Sequence, residues 1–106
     1  MTTRKSKGSS TAELEKALLG DAMTFGKALM GLRELYALSQ GEMGKRVGLS
    51  KQHVCDIEKE RRSVSPAKAA TIARKLGHPE AYFVRLALQG RINHDGLKFK
   101  VSLEAA

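Results

Sequence analysis

Gln40-Gly41-Glu42-Met43-Gly44-Lys45-Arg46-Val47-Gly48-Leu49-Ser50-Lys51-Gln52-His53-Val54-Cys55-Asp56-Ile57-Glu58 carries the strongest structural signal in the chain. Ser39 stands just before it, three residues ahead of Glu42. That is the spacing of a capping box, in which a hydroxyl and a carboxylate each satisfy an unpaired amide at a helix start. Met43 and Val47 lie one helical turn apart and give this helix an inner face. Gly48 is expected to stop it after two turns, because glycine enters the left-handed backbone region without steric penalty. Ser50 then caps a further helix that carries Val54 and Ile57 at helical spacing. Two short helices joined across a turn of three or four residues are therefore predicted.

The same signals extend outward. Thr24 caps a helix whose Phe25, Ala28, Leu29, Leu32 and Tyr36 form one apolar stripe. Ser65-Pro66 opens another, with a hydroxyl cap and proline at the first helical position. Ala69, Ile72, Ala73 and Leu76 are its inner stripe, and Gly77 closes it. His78-Pro79 begins a last helix, anchored by Phe83, Val84, Ala87 and Leu88, which Gly90 is expected to end. Ser10-Thr11-Ala12-Glu13 fits one more capping box, so a short extra helix is expected to run to about Leu19, within residues 11–23. Residues 1–10, with three bases and no acid, read as a disordered basic tail. Beyond Gly96, Leu97, Phe99, Val101 and Leu103 alternate with polar residues, the pattern of a strand with one apolar face. A lone strand cannot satisfy its own backbone, so it is expected to pair with another chain.

Composition bounds the function. A chain of 106 residues is one domain, and with aromatics at 5% its core must be mostly aliphatic. A single cysteine, Cys55, excludes an internal disulfide framework and a Cys-rich zinc site. His53, His78 and His94 show no metal spacing, so no metal or other cofactor is expected. No apolar run approaches the roughly 20 residues that cross a bilayer, and the basic start has no apolar stretch behind it. A cytoplasmic protein that engages no membrane is expected. There is no glycine-rich phosphate loop, nucleophile–base pair or carboxylate constellation, so an enzyme is not expected. The charge points elsewhere. Nineteen Lys and Arg against eleven Asp and Glu give a net +8. Much of the surplus lies between Gly44 and Lys75, where Lys45, Arg46, Lys51, Lys59, Arg61, Arg62, Lys68, Arg74 and Lys75 face only Asp56, Glu58 and Glu60. Such a surface attracts polyanions, nucleic acid first among them.

The stretch from Gln40 to Glu58 resembles the helix-turn-helix of Xre-type, phage-repressor/Cro-like DNA-binding proteins. Gly44 at the helix contact, Gly48 in the turn, and Val47, Leu49, Val54 and Ile57 as the locking residues carry the likeness. Leu38-Ser39-Gln40 before the motif and Ile57-Glu58 at its end are also typical, and the resemblance covers about residues 24–90. It implies an all-α, five-helix repressor-like domain over 24–90. To this the residue patterns add the extra N-terminal helix and a C-terminal arm, 91–106, with a strand at 97–103. One position departs: where the family places glycine, two residues after the glutamate, this chain has Glu60, and the loop there is expected to take a different path.

The resemblance also implies roles. The helix opening at Ser50 would enter the major groove and read bases with Lys51, Gln52 and Asp56, with His53 and Cys55 at the margin. Gln52 suits paired hydrogen bonds to adenine, Lys51 a guanine, and Asp56 a cytosine amine. Gln40, Ser50, Lys59, Arg61 and Arg62 would hold phosphates, which orient the protein without reading sequence. Arg33 and Glu58 match an ion pair that ties the first helix of the domain to the end of the reading helix. The partner expected is double-stranded DNA, bound by a homodimer that represses transcription from a two-fold operator. The dimer contact would use either the last helix or paired strands bearing Leu97, Phe99, Val101 and Leu103. A second role is carried by the same family: an antitoxin that binds a toxin protein, here through the extra helix and the strand, and its own operator. RNA binding is disfavoured because stacking aromatics are scarce.

Overall fold

The computed structural model describes residues 23–106, and among these it contains five α-helices. They are α1 (Phe25–Leu35), α2 (Gln40–Val47), α3 (Lys51–Glu58), α4 (Pro66–Leu76) and α5 (Glu80–His94). The extra helix expected before Met23 and the basic tail lie outside the described residues. Four helix starts follow the caps read from the sequence. Thr24, Ser39, Ser50 and Ser65 accept from the amides of Lys27, Glu42, His53 and Lys68 at 3.0–3.1 Å. Glu42 completes its capping box by accepting from the Ser39 amide at 2.7 Å. Each such cap stabilises its helix by about 1 kcal/mol.

The core forms where the apolar stripes meet. Leu29 of α1, Met43 and Val47 of α2, Val54 and Ile57 of α3, Ala69, Ile72 and Ala73 of α4, and Phe83 and Leu86 of α5 are buried together. Phe25 and Phe83 meet edge-on, their centroids 5.6 Å apart, and join α1 to α5. Gly44 is required by a close approach: a Cβ there would run into the carbonyl of Leu49 as the chain turns between α2 and α3. Gly48, at φ +81°, ends α2 as expected.

Two expectations are corrected toward the C-terminus. First, α5 does not end at Gly90 but continues to His94. A glycine inside a helix costs only about 1 kcal/mol. Gln89–Asn93 and Arg91–Asp95 side-chain pairs, four residues apart, bracket this one. The stop is Gly96, at φ +77°, where the amides of Gly96 and Leu97 return to the carbonyls of Asn93 and Ile92. Second, residues 97–103 form no strand. In the absence of a neighbouring strand, the Gln89 side chain stands in for one. Its Nε2 donates to the Phe99 carbonyl at 2.7 Å, and its Oε1 accepts from the Val101 amide at 2.8 Å. Val101 is half-buried, whereas Leu97, Phe99 and Leu103 are exposed.

Two more helices close in the same way as α5, but on residues other than glycine. Ala37 (φ +56°) follows α1 and Glu60 (φ +61°) follows α3. In each case two successive amides return to carbonyls of the last turn, as Leu38 does to Arg33 and Arg61 to Asp56. Glu60 thus takes the backbone conformation that favours glycine. Its carboxylate accepts from the Thr24 hydroxyl, which fastens the start of α1 to the end of α3. Ala37→Gly is expected to raise stability by about 0.5–1 kcal/mol, since left-handed strain of about 1–2 kcal/mol is relieved against the entropy glycine adds to the unfolded chain. Glu60→Gly, which also removes the Thr24 contact, is expected to gain less. Urea unfolding of the two variants measures the contrast.

Candidate nucleic-acid interface

Helix α3 is anchored by one face. Val54 and Ile57 sit in the core, and the Glu58 side chain beside them is only 3% exposed. A buried carboxylate needs partners, and it has three donors. Arg33 of α1 donates through Nε at 2.7 Å and through Nη2 at 3.1 Å, and Gln40 of α2 donates at 3.0 Å. Arg33 also donates to the Leu38 carbonyl at 3.0 Å, so one guanidinium ties α1, the turn after it and α3. The bond to Glu58 raises the Arg33 pKa above its ordinary value despite partial burial. The ion pair expected from the sequence is therefore present. Gln40, expected on a phosphate, turns its side-chain nitrogen to Glu58; nothing in the sequence distinguished these two uses.

The other side of α3 faces outward. Lys51 and Gln52, in its first turn, are exposed, and His53, Cys55 and Asp56 are half-buried. Gln52 donates to Asp56 at 2.9 Å, and Arg61, beyond the helix end, donates to the same carboxylate oxygen at 3.2 Å. These bonds, the one from Gln52 foremost, hold the Asp56 carboxyl below the usual carboxylate range. Arg61 also lies 4.0 Å from the Cys55 sulfur. Burial, followed by the positive charges of Arg62 and Lys68, lowers the His53 pKa. Lys68, in the first turn of α4, is thus a neighbour of His53 that was not among the expected site residues.

Of the expected phosphate ligands, Ser50, Lys59, Arg61 and Arg62 are exposed at the two ends of α3. The Ser50 hydroxyl is engaged in capping the helix. A cleft of about 560 Å³ lies behind them, between the start of α1, the loop from Glu60 to Val64 and the second half of α5. Arg61 and Arg62 line it, but Lys51, Gln52 and His53 do not. No helix among the described residues is long and apolar enough to cross a membrane.

Comparison with known families agrees with this geometry. The helix-turn-helix family model matches residues 29–83, just over half of the chain, from within α1 to within α5. The chain belongs to this family, that of the Xre/Cro/cI-type helix-turn-helix proteins. It is a DNA-binding transcription regulator in the general sense of that family. Neither the curated proteins nor the solved structures contain a match.

Proposed function

We propose that the protein is a sequence-specific repressor that acts in the cytoplasm as a homodimer on a two-fold operator, with no catalytic activity. The observation that carries this reading is the exposure of Lys51 and Gln52 on a helix locked from behind by Val54, Ile57 and Glu58. A recognition helix must stand clear of the fold yet hold its angle, and this one does both. Lys51 and Gln52 read base edges, with His53 and Cys55 at their margin. Ser50, Lys59, Arg61, Arg62 and the helix start at Gln40 hold the backbone. Helix α5 is suited to the dimer contact. Besides its buried residues it carries Val84, Leu88 and Ile92, half-buried, as a second stripe.

The test is fluorescence anisotropy on duplexes from the region upstream of the protein's own gene, beside a random duplex. Gln52→Ala should lose about 1–3 kcal/mol of discrimination at one base pair. Arg62→Ala, a cleaner phosphate probe than Arg61 because Arg61 is tied to Asp56, should weaken all duplexes about equally. If Gln52→Ala also weakens all duplexes alike, it does not read bases. The exposed Leu97, Phe99 and Leu103 favour a second reading, in which the arm docks a toxin protein. A small toxin-like reading frame adjacent to the gene, whose product binds the arm, would select it.

A further inference from the structure

We propose that Asp56 is a positioning residue, which fixes the edge that the Gln52 amide turns toward a base pair. The inference rests on the reading of α3 as the recognition helix. Gln52 and Asp56 lie four residues apart, one above the other on the exposed side of the helix, with Gln52 Nε2 2.9 Å from Asp56 Oδ1. A primary amide can be turned over at little cost, which exchanges its oxygen for its nitrogen. An ionised carboxylate removes that freedom, because it accepts hydrogen bonds and cannot donate them. Only the nitrogen of Gln52 can face Asp56, and the oxygen must face away.

The Gln52 amide nitrogen has two hydrogens, and Asp56 takes one. With Asp56 on the hydrogen trans to the amide oxygen, the second hydrogen and the oxygen lie on one edge of the amide, a donor beside an acceptor. Adenine offers the complement in the major groove, N7 accepting and the N6 amine donating. Their order across the groove reverses between an A·T and a T·A pair, so an amide locked in one sense matches the adenine edge in one orientation, whereas one that turns over can match it in either. Arg61 supports the lock. It donates at 3.2 Å to the same oxygen of Asp56, and a guanidinium has no acceptor to offer Gln52. With two donors on it, the carboxyl stays ionised, hence acceptor-only, throughout the neutral range. Asp56 therefore acts on sequence choice through Gln52 and not by accepting from a cytosine amine.

The test is selection of bound duplexes from a randomised pool by the full chain, with Gln52→Ala marking the base pair that Gln52 reads. The wild type should prefer one orientation of an A·T pair there by about tenfold or more. Asp56→Ala removes the acceptor altogether, so nothing on the helix holds the Gln52 amide in one sense. It should bring the two orientations within about threefold of each other at that same pair, with the other selected positions unchanged. The proposal is overturned if Asp56→Ala leaves the preference intact. It is equally overturned if the preference changes at a different pair, since Asp56 would then read a base itself. A wild type that selects no sequence would overturn the DNA-reading role of α3, and this inference with it.

Discussion

Between about 50 and about 200 mM salt, affinity for the operator duplex is expected to fall by about a thousandfold or more. Each phosphate neutralised by a lysine or arginine releases condensed counterions, and log affinity falls with log salt at close to 0.9 per phosphate. The proposed phosphate ligands Lys59, Arg61 and Arg62 are exposed just beyond α3. In the proposed dimer they would cover about 6–10 phosphates together with the helix starts. A single protomer that covers about four would lose only about a hundredfold over the same range. Anisotropy across four or five salt concentrations therefore reports both the electrostatic footprint and the number of copies bound. A slope of only one or two phosphates would mean that the basic surface around α3 does not lie on the duplex.

Arg33→Ala is expected to destabilise the fold by about 3 kcal/mol, read by urea or thermal unfolding. Loss of one partner of a buried ion pair costs about 3–5 kcal/mol, because the other charge remains in a poorly hydrated place. The lower end applies here. The Arg33 side chain keeps 17% of its surface exposed, so water can enter its place, and Gln40 would still donate to Glu58. Arg33→Lys is expected to recover only part of the loss. An ammonium cannot deliver two parallel bonds to Glu58 and a third to the Leu38 carbonyl from one rigid plane. A loss under about 1 kcal/mol for Arg33→Ala would mean that the pair behaves as a surface salt bridge.

The helices were legible wherever their limits are set by local chemistry. Ser39, Ser50 and Ser65 cap, Gly48 and Gly77 stop, and both kinds of signal act within one turn of the chain. What was not legible depends on partners distant in sequence. Gly90 carries the same stop signal as Gly77, but α5 runs through it because a packed helix can absorb one glycine. The alternation from Leu97 to Leu103 is real, but a strand needs a second strand, and a side chain ten residues back supplies the hydrogen bonds instead. At the site, exposure of Lys51 and Gln52 followed from the spacing of Val54 and Ile57. The partners of Gln40 and Asp56 did not: Gln40 meets Glu58 across to α3, and Asp56, matched to a base by resemblance, takes Gln52 and Arg61 beside it. Ala37 and Glu60 were hidden for another reason: nothing in those residue types announces a left-handed backbone.

The clasp of Gln89 on the arm bears on how the protein behaves in concentrated solution. Extended segments of alternating apolar residues are common seeds of sheet-like self-association between molecules, because their backbone groups are open to any neighbour. In this arm the Phe99 carbonyl and the Val101 amide are already taken by a side chain of the same molecule. Lys98 and Lys100 alternate with the apolar positions, so two arms brought edge to edge would also repel each other. The arm can keep apolar side chains on its surface at little risk of fibre-like growth.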